Sequence, residues 1–253
     1  MRAIRSVLAP LLGVLVIAGE VPAVHADTIV VYGASGKIGG VIVSEALSRG
    51  HTVIGVSRNA AKLKVDNKKF KAVTGDVTDF DSFKKLTQGA DAVIISVSGG
   101  GDDKDPKNTT TAKAARVAVQ AFSGASKSPE VIQIGGATTM AGTREAMEAS
   151  MPPFAKPGTP VYTMMFGHLE ALQTYQASKI RWSVLTPPMD IAGMGMGDKP
   201  IVLNRTGKYR TSTTAAVKDA NGKSSVNIAD LAVAAVDEAE KHQFLGQRFT
   251  VGY

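Results

Sequence analysis

Residues 31–40 read VYGASGKIGG, with four glycines and the small residues Ala34 and Ser35 in ten positions. The stretch closes an apolar run, TIVVYG (28–33), that predicts a buried strand. It opens a helix whose Ile38, Val41, Ile42, Glu45, Ala46 and Arg49 recur at helical spacing, with Gly50 as its stop. Gly33, Gly36 and Gly39 thus form GxxGxxG between a strand and a helix, where a nucleotide pyrophosphate must approach both backbone and helix N-terminus. The first glycine permits the tight turn, the second admits the phosphates, and the third lets helix pack on strand. Exposed N–H groups and the helix dipole favour the negative charge. Gly33, Ala34, Ser35, Gly36, Lys37, Ile38 and Gly39 are therefore expected to bind a dinucleotide.

The same alternation continues outward. HTVIGVSR, FKAVTGD, DAVIISVS, EVIQIGGA and WSVLTPP supply five further strands, with helical stretches near 79–88, 108–124 and 163–177 between them. Strand–helix alternation implies an α/β fold, a Rossmann-type doubly wound parallel sheet. The length of 253 residues suits one domain, expected over 27–253, with loops near 138–162 and 189–225 covering a substrate.

The second strand indicates which dinucleotide. An NAD site places Asp or Glu at its end to accept from the ribose 2′-OH, but here it ends Ser57-Arg58-Asn59. Arg58 suits a 2′-phosphate, and Lys37 and Ser35 support NADP, with NAD the lesser option; a merely solvated Arg58 is the alternative. Asp76 and Val77, after the third strand, sit where adenine is contacted, although Asp76 can equally cap the following turn. Ser96, Val97 and Ser98, closing the fourth strand, complete the expected cofactor contacts.

GASGKIG, SRN, GDVTD, DAVIISVSGG, Pro187-Pro188 and the ending NIADLAVAAVDEAE…RFTVGY together resemble the atypical short-chain dehydrogenase/reductase superfamily. The nearest likeness is to its NAD(P)H-binding group related to flavin reductase and biliverdin reductase B, over residues 28–253. Classical members use Tyr-x-x-x-Lys, which YQASK (Tyr175–Lys179) spells out. Only Ile180 and Arg181 separate it from the strand beginning at Trp182, which places it at the sheet edge opposite the expected chemistry. Earlier in that helix stand Tyr162 and His168; Phe166 occupies the position of a lysine partner for Tyr162. His168 lies 19 residues before Pro187, the spacing at which the resemblance implies a histidine beside the substrate. Such a histidine hydrogen-bonds a substrate or donates a proton near neutral pH, unless it simply bonds a backbone carbonyl. His168 and Tyr162 are the catalytic candidates.

All methionines except Met1 fall between Met140 and Met196, several of them in the segments expected to roof the site. They suit a flat apolar acceptor such as a flavin or quinone, or else fill an irregular core. The net charge of +7 is spread out, with no Lys/Arg block beside aromatics, so nucleic acid is not expected. The four histidines are scattered, there is no cysteine, and no carboxylate cluster has metal spacing, so no metal is implied. No G-x-S-x-G elbow or Walker pattern supports a hydrolase or kinase. The oligomeric state is not encoded legibly.

Residues 1–26 carry Arg2 and Arg5, an apolar stretch from Val7 to Gly19, and Val24-His25-Ala26, the pattern of an export signal cleaved after Ala26. The thirteen apolar residues are too few for a helix spanning ~30 Å of hydrocarbon, so membrane contact is expected only through this segment if uncleaved. Export to the periplasm conflicts with a supply of NADPH inside the cell. A cytoplasmic protein with a misleading N-terminus, a tethered domain facing inward, or an exported descendant without turnover each reconciles the two. The resulting expectation is an NADP-preferring oxidoreductase acting on a small planar acceptor. The alternatives are a non-catalytic NAD(P)-binding sensor or scaffold, and a sugar-nucleotide epimerase.

Overall fold

A computed structural model of the protein describes residues 26–99, 104–140, 144–195 and 199–253. The chain runs β1 (Thr28–Tyr32), α1 (Lys37–Ser48), β2 (Thr52–Ser57), β3 (Phe70–Thr74), α2 (Phe80–Leu86), β4 (Ala92–Ile95) and α3 (Thr110–Phe122). It continues through β5 (Glu130–Ile134), α4 (Arg144–Ser150), α5 (Pro160–Gln176), β6 (Trp182–Thr186) and β7 (Asp190–Ala192). β8 (Arg210–Ser212), β9 (Ser225–Asn227), α6 (Ile228–Lys241) and β10 (Gln247–Gly252) complete it.

Side chains that alternate along β1 serve two cores, as the period of a strand dictates. Ile29 and Val31 pack with α1 and α6, whereas Val30 and Tyr32 pack with α2, α3 and α5. Both faces are covered, which is why the central strands read as unbroken apolar runs. The main sheet has the order β3-β2-β1-β4-β5-β6-β10-β8, all parallel except β8, and β7 pairs with β9 in a separate ribbon. The chain direction across the sheet reverses between β1 and β4. In such a sheet a crevice opens there, outside the carboxyl ends of the strands.

The six expected strands are all present. β7, β8 and β9, at three residues each, are too short to show a period, and β10 lies within the ending RFTVGY, which carries a family likeness rather than a strand period. α5 begins at Pro160, three residues before the expected 163, because Thr159 accepts from the Tyr162 N–H at 3.2 Å and Pro160 suits the first turn. The segment 189–225 does not all roof the carboxyl edge. Arg205 forms a fork on Glu45 at 2.7 and 2.8 Å, Thr206 and Gly207 donate their N–H groups to Asp230, and the Tyr209 hydroxyl donates to Asp237. Residues 205–209 therefore drape along α1 and α6. Among the described residues no helix is long and apolar enough to cross a membrane; the stretch Val7–Gly19 lies outside them.

Candidate functional site

The three glycines of the first turn carry different constraints. Gly33 has φ +77°, and a Cβ there would lie 2.1 Å from the Ser96 carbonyl oxygen. A Cβ on Gly39 would lie 2.2 Å from the Gly33 carbonyl oxygen. Gly36 has an ordinary extended backbone, and its Cβ would meet only the Gly33 oxygen at 3.1 Å. The protein itself requires glycine at 33 and 39, whereas the outer side of Gly36 is left open. Gly36 also begins α1 without a side-chain cap, although Thr109, Thr159 and Asn227 cap α3, α5 and α6. An uncapped helix start beside an open glycine offers N–H groups to an external anion, so residues 33–39 fit a dinucleotide pyrophosphate. Ala34 is buried with its N–H on the Val56 carbonyl, and Ile38 packs inward on the α1–α6 core.

Beyond the loop, Ser35 and Ser57 join hydroxyl to hydroxyl at 2.9 Å. Arg58 follows directly, exposed and without a hydrogen-bond or ion-pair partner among the described residues. Lys37 is engaged differently from the expectation that it serves a 2′-phosphate: its Nζ donates to the Gly195 carbonyl at 2.8 Å and ties the loop after β7 to the glycine turn. Asp76 Oδ1 accepts from both the N–H and the hydroxyl of Thr78 at 2.8 Å, so it caps that turn, and Val77 beside it is buried. The Ser96 N–H donates to the Tyr32 carbonyl, the Val97 carbonyl accepts from the Thr111 hydroxyl, and Ser98 is exposed.

The catalytic candidates on α5 separate sharply. His168 lies just over two turns into α5, against Gly136 after β5, where a glycine Cβ would come within 2.7 Å of its ring. Its Nδ1 is buried without a partner, and burial pushes the imidazole down to about 4. At pH 7 the ring is neutral, a hydrogen-bonding group rather than the proton-donating cation also considered for it. Tyr162 is held away from such a role. Its hydroxyl donates to Glu148 and accepts from Arg144 at 3.3 Å, and burial with the Glu148 hydrogen bond raises its pKa. Arg144 also pairs with Glu170 and stacks over Phe166, so Tyr162 belongs to the clasp that holds α4 on α5.

YQASK resolves into two separate environments. Tyr175 is fully buried, donates to Gln133 Oε1 at 2.7 Å and stacks on Trp182, and burial raises its pKa strongly. Lys179 is exposed beyond the helix, in a depression shared with Asp27 and Asp91, which precede β1 and β4 at the amino edge. The methionines also divide: Met147, Met151 and Met165 join Tyr162 and Phe166 in a small satellite core, while Met189 is 80% exposed. Met196 lies outside the described residues. Sequence reasoning missed the Ser57 partner of Ser35, legible only as the residue before Arg58, and the seat of His168 on Gly136, which carries no local signal. Among the described residues no cluster of His, Asp or Glu has the form of a metal site.

A family model described as NAD(P)H-binding matches residues 33–241. The protein YwnB of Bacillus subtilis is 28% identical over 233 residues, covering 87% of this chain and 96% of YwnB. The solved structure of a "putative epimerase" from Bacteroides thetaiotaomicron is 28% identical, covers 90% of this chain and 97% of its own, and superposes with a TM-score of 0.71. A "putative exported protein" from Burkholderia pseudomallei is 26% identical, with 90% and 100% covered and a TM-score of 0.69.

Proposed function

The chain belongs to the NAD(P)H-binding family, and from that premise we propose that it is an NADP-preferring oxidoreductase passing hydride from the nicotinamide to a small planar acceptor, a flavin or quinone. The observation that carries the reading is His168, a neutral imidazole with an unpartnered nitrogen at the carboxyl edge of the sheet. Bound NADPH supplies the hydride, so the chain has only to orient cofactor and acceptor. Residues 33–39 hold the pyrophosphate, Arg58 selects the 2′-phosphate, and His168 hydrogen-bonds a carbonyl or ring nitrogen of the acceptor as charge develops there. Epimerase chemistry fits less well, because the Tyr175 hydroxyl is bonded to Gln133 and the Tyr162 hydroxyl to Glu148 and Arg144, so neither is paired with a lysine. A non-catalytic NADP sensor is the second reading, favoured by the absence of a charged proton donor at His168. The signal-like segment 1–26 and the likeness to a "putative exported protein" support export, which sequencing of the mature N-terminus tests. The functional reading is tested by following NADPH oxidation with FMN or menadione present: turnover with NADPH exceeding that with NADH supports it, and cofactor binding without turnover supports the sensor.

A further inference from the structure

His168 is oriented by packing rather than by hydrogen bonds. Its Nδ1 is buried with no partner, and neither ring nitrogen bonds to another described residue. A histidine that works on a ligand through one nitrogen is ordinarily held by a hydrogen bond from the other. Here that contact is missing, and the ring lies instead where a side chain on Gly136, just past the end of β5, would begin. A Cβ there would stand 2.7 Å from Cδ2 and 3.0 Å from Cγ of the imidazole, closer than the roughly 3.5–4.0 Å at which non-bonded carbons settle.

Both sides of this contact are fixed. The Gly136 carbonyl accepts from the Thr139 N–H at 2.9 Å and from the Thr139 hydroxyl at 2.6 Å, and that hydroxyl also meets Thr186 Oγ1 of β6 at 2.6 Å. On the other side α5 is pinned around residue 168 at three points. The Thr163 hydroxyl donates to the Lys104 carbonyl at 3.0 Å, and the Met165 carbonyl accepts from the Thr138 hydroxyl at 2.6 Å. Gly167 passes so close to Thr109, the N-cap of α3, that a Cβ on it would lie 2.2 Å from the Thr109 hydroxyl. A methyl group at 136 is therefore not relieved by moving the strand end or the helix, and the imidazole has to turn. The Gly136 backbone has no positive φ, so alanine suits it apart from this contact.

We propose that Gly136 is a positioning residue, giving the His168 imidazole the one orientation from which it meets the acceptor, the task a hydrogen bond performs for other ligand-binding histidines. The inference rests on the functional reading above.

The test compares the unaltered full chain with Gly136→Ala, His168→Ala and the double variant. Side-chain histidine NMR reads the orientation without turnover, with the His168 resonance identified by its loss in His168→Ala. In Gly136→Ala that resonance should shift while those of His51 and His242 stay. In steady-state NADPH oxidation with menadione, Gly136→Ala should lose at least about tenfold in kcat with NADPH affinity unchanged, and adding it to His168→Ala should cost nothing further. An unshifted His168 resonance, an unchanged kcat, a loss confined to NADPH affinity, or full additivity of the two substitutions overturns the proposal. Should Gly136→Ala not fold, the double variant decides, since removing the imidazole removes the clash: a folded double variant supports the seat and an unfolded one overturns it. A chain that turns over no acceptor while its His168 resonance still shifts in Gly136→Ala supports the seat and overturns the functional reading instead.

Discussion

Ser35 of the glycine turn and Ser57 at the end of β2 share a hydrogen bond of 2.9 Å, and the residue beyond that bond is Arg58, exposed and without a partner among the described residues. The bond ties the glycine turn to the end of β2 and places hydroxyls there, next to the position at which an NAD site carries an acid for the 2′-OH. NADPH should accordingly bind more tightly than NADH. Arg58→Ala should remove about 1.5–3 kcal/mol of NADPH affinity, the value of hydrogen bonds to a charged group, and leave NADH nearly unchanged. Calorimetric titration checks this; equal affinities for the two cofactors in the unaltered chain would contradict it.

The glycines of the turn predict opposite outcomes. Gly36→Val should fold, since its backbone suits any residue and only the Gly33 oxygen at 3.1 Å must yield slightly, yet it should abolish dinucleotide binding. Gly39→Ala should lose stability outright, because its Cβ would lie 2.2 Å from backbone. Urea unfolding together with NADPH titration separates the two. A folded Gly36→Val chain with unchanged affinity would make the loop purely structural.

Tyr175→Phe should cost stability and little activity. It strips the donor from Gln133 Oε1 in the core, an unsatisfied buried acceptor worth about 1–3 kcal/mol. Lys179→Ala, on an exposed side chain, should change stability by no more than about 0.5 kcal/mol. Loss of turnover in either variant at full cofactor binding would restore YQASK as a catalytic pair.

Much of this was legible in the sequence because it is local. β1, the glycine turn and α1 follow one another without a break, so an apolar run, three glycines and a helical period locate that turn directly. The placement of YQASK was legible too, since the two residues between Lys179 and β6 leave no room to return to the carboxyl edge. What was not legible depends on contacts far apart in sequence. Lys37 reaches Gly195 and Tyr162 reaches Glu148, while His168 rests on Gly136, and no period or spacing announces such pairings. The methionines leave both readings open in the sequence for a related reason: composition reports softness, whereas a satellite core around Phe166 and an exposed rim at Met189 use the same residue type.

At the amino edge, Glu130 is fully buried against His242, whose Nδ1 lies 2.5 Å from its Oε2, and Glu238 stands beside it. Burial, then the neighbouring Glu130, pushes Glu238 up to about 8, and burial raises Glu130 as well despite the nearby Arg181. A carboxyl whose folded pKa is raised binds its proton more tightly when folded, so stability falls as pH climbs from the ordinary carboxylate range to about 8. Urea midpoints should decline between pH 6 and 8.5, and Glu238→Gln should flatten that slope. An identical slope in the variant would show that the pair does not titrate in this window.

The most direct measurement is steady-state NADPH oxidation by the full chain with FMN or menadione, comparing the unaltered protein with His168→Ala. Because burial holds His168 near 4, its neutral ring should serve as a hydrogen-bonding partner throughout pH 6–8, and turnover should show no break at the ordinary histidine pKa. Removing it should slow turnover about 10²-fold with NADPH affinity unchanged. Full activity in His168→Ala, or no reduction of either acceptor by the unaltered chain at saturating NADPH, would contradict the account.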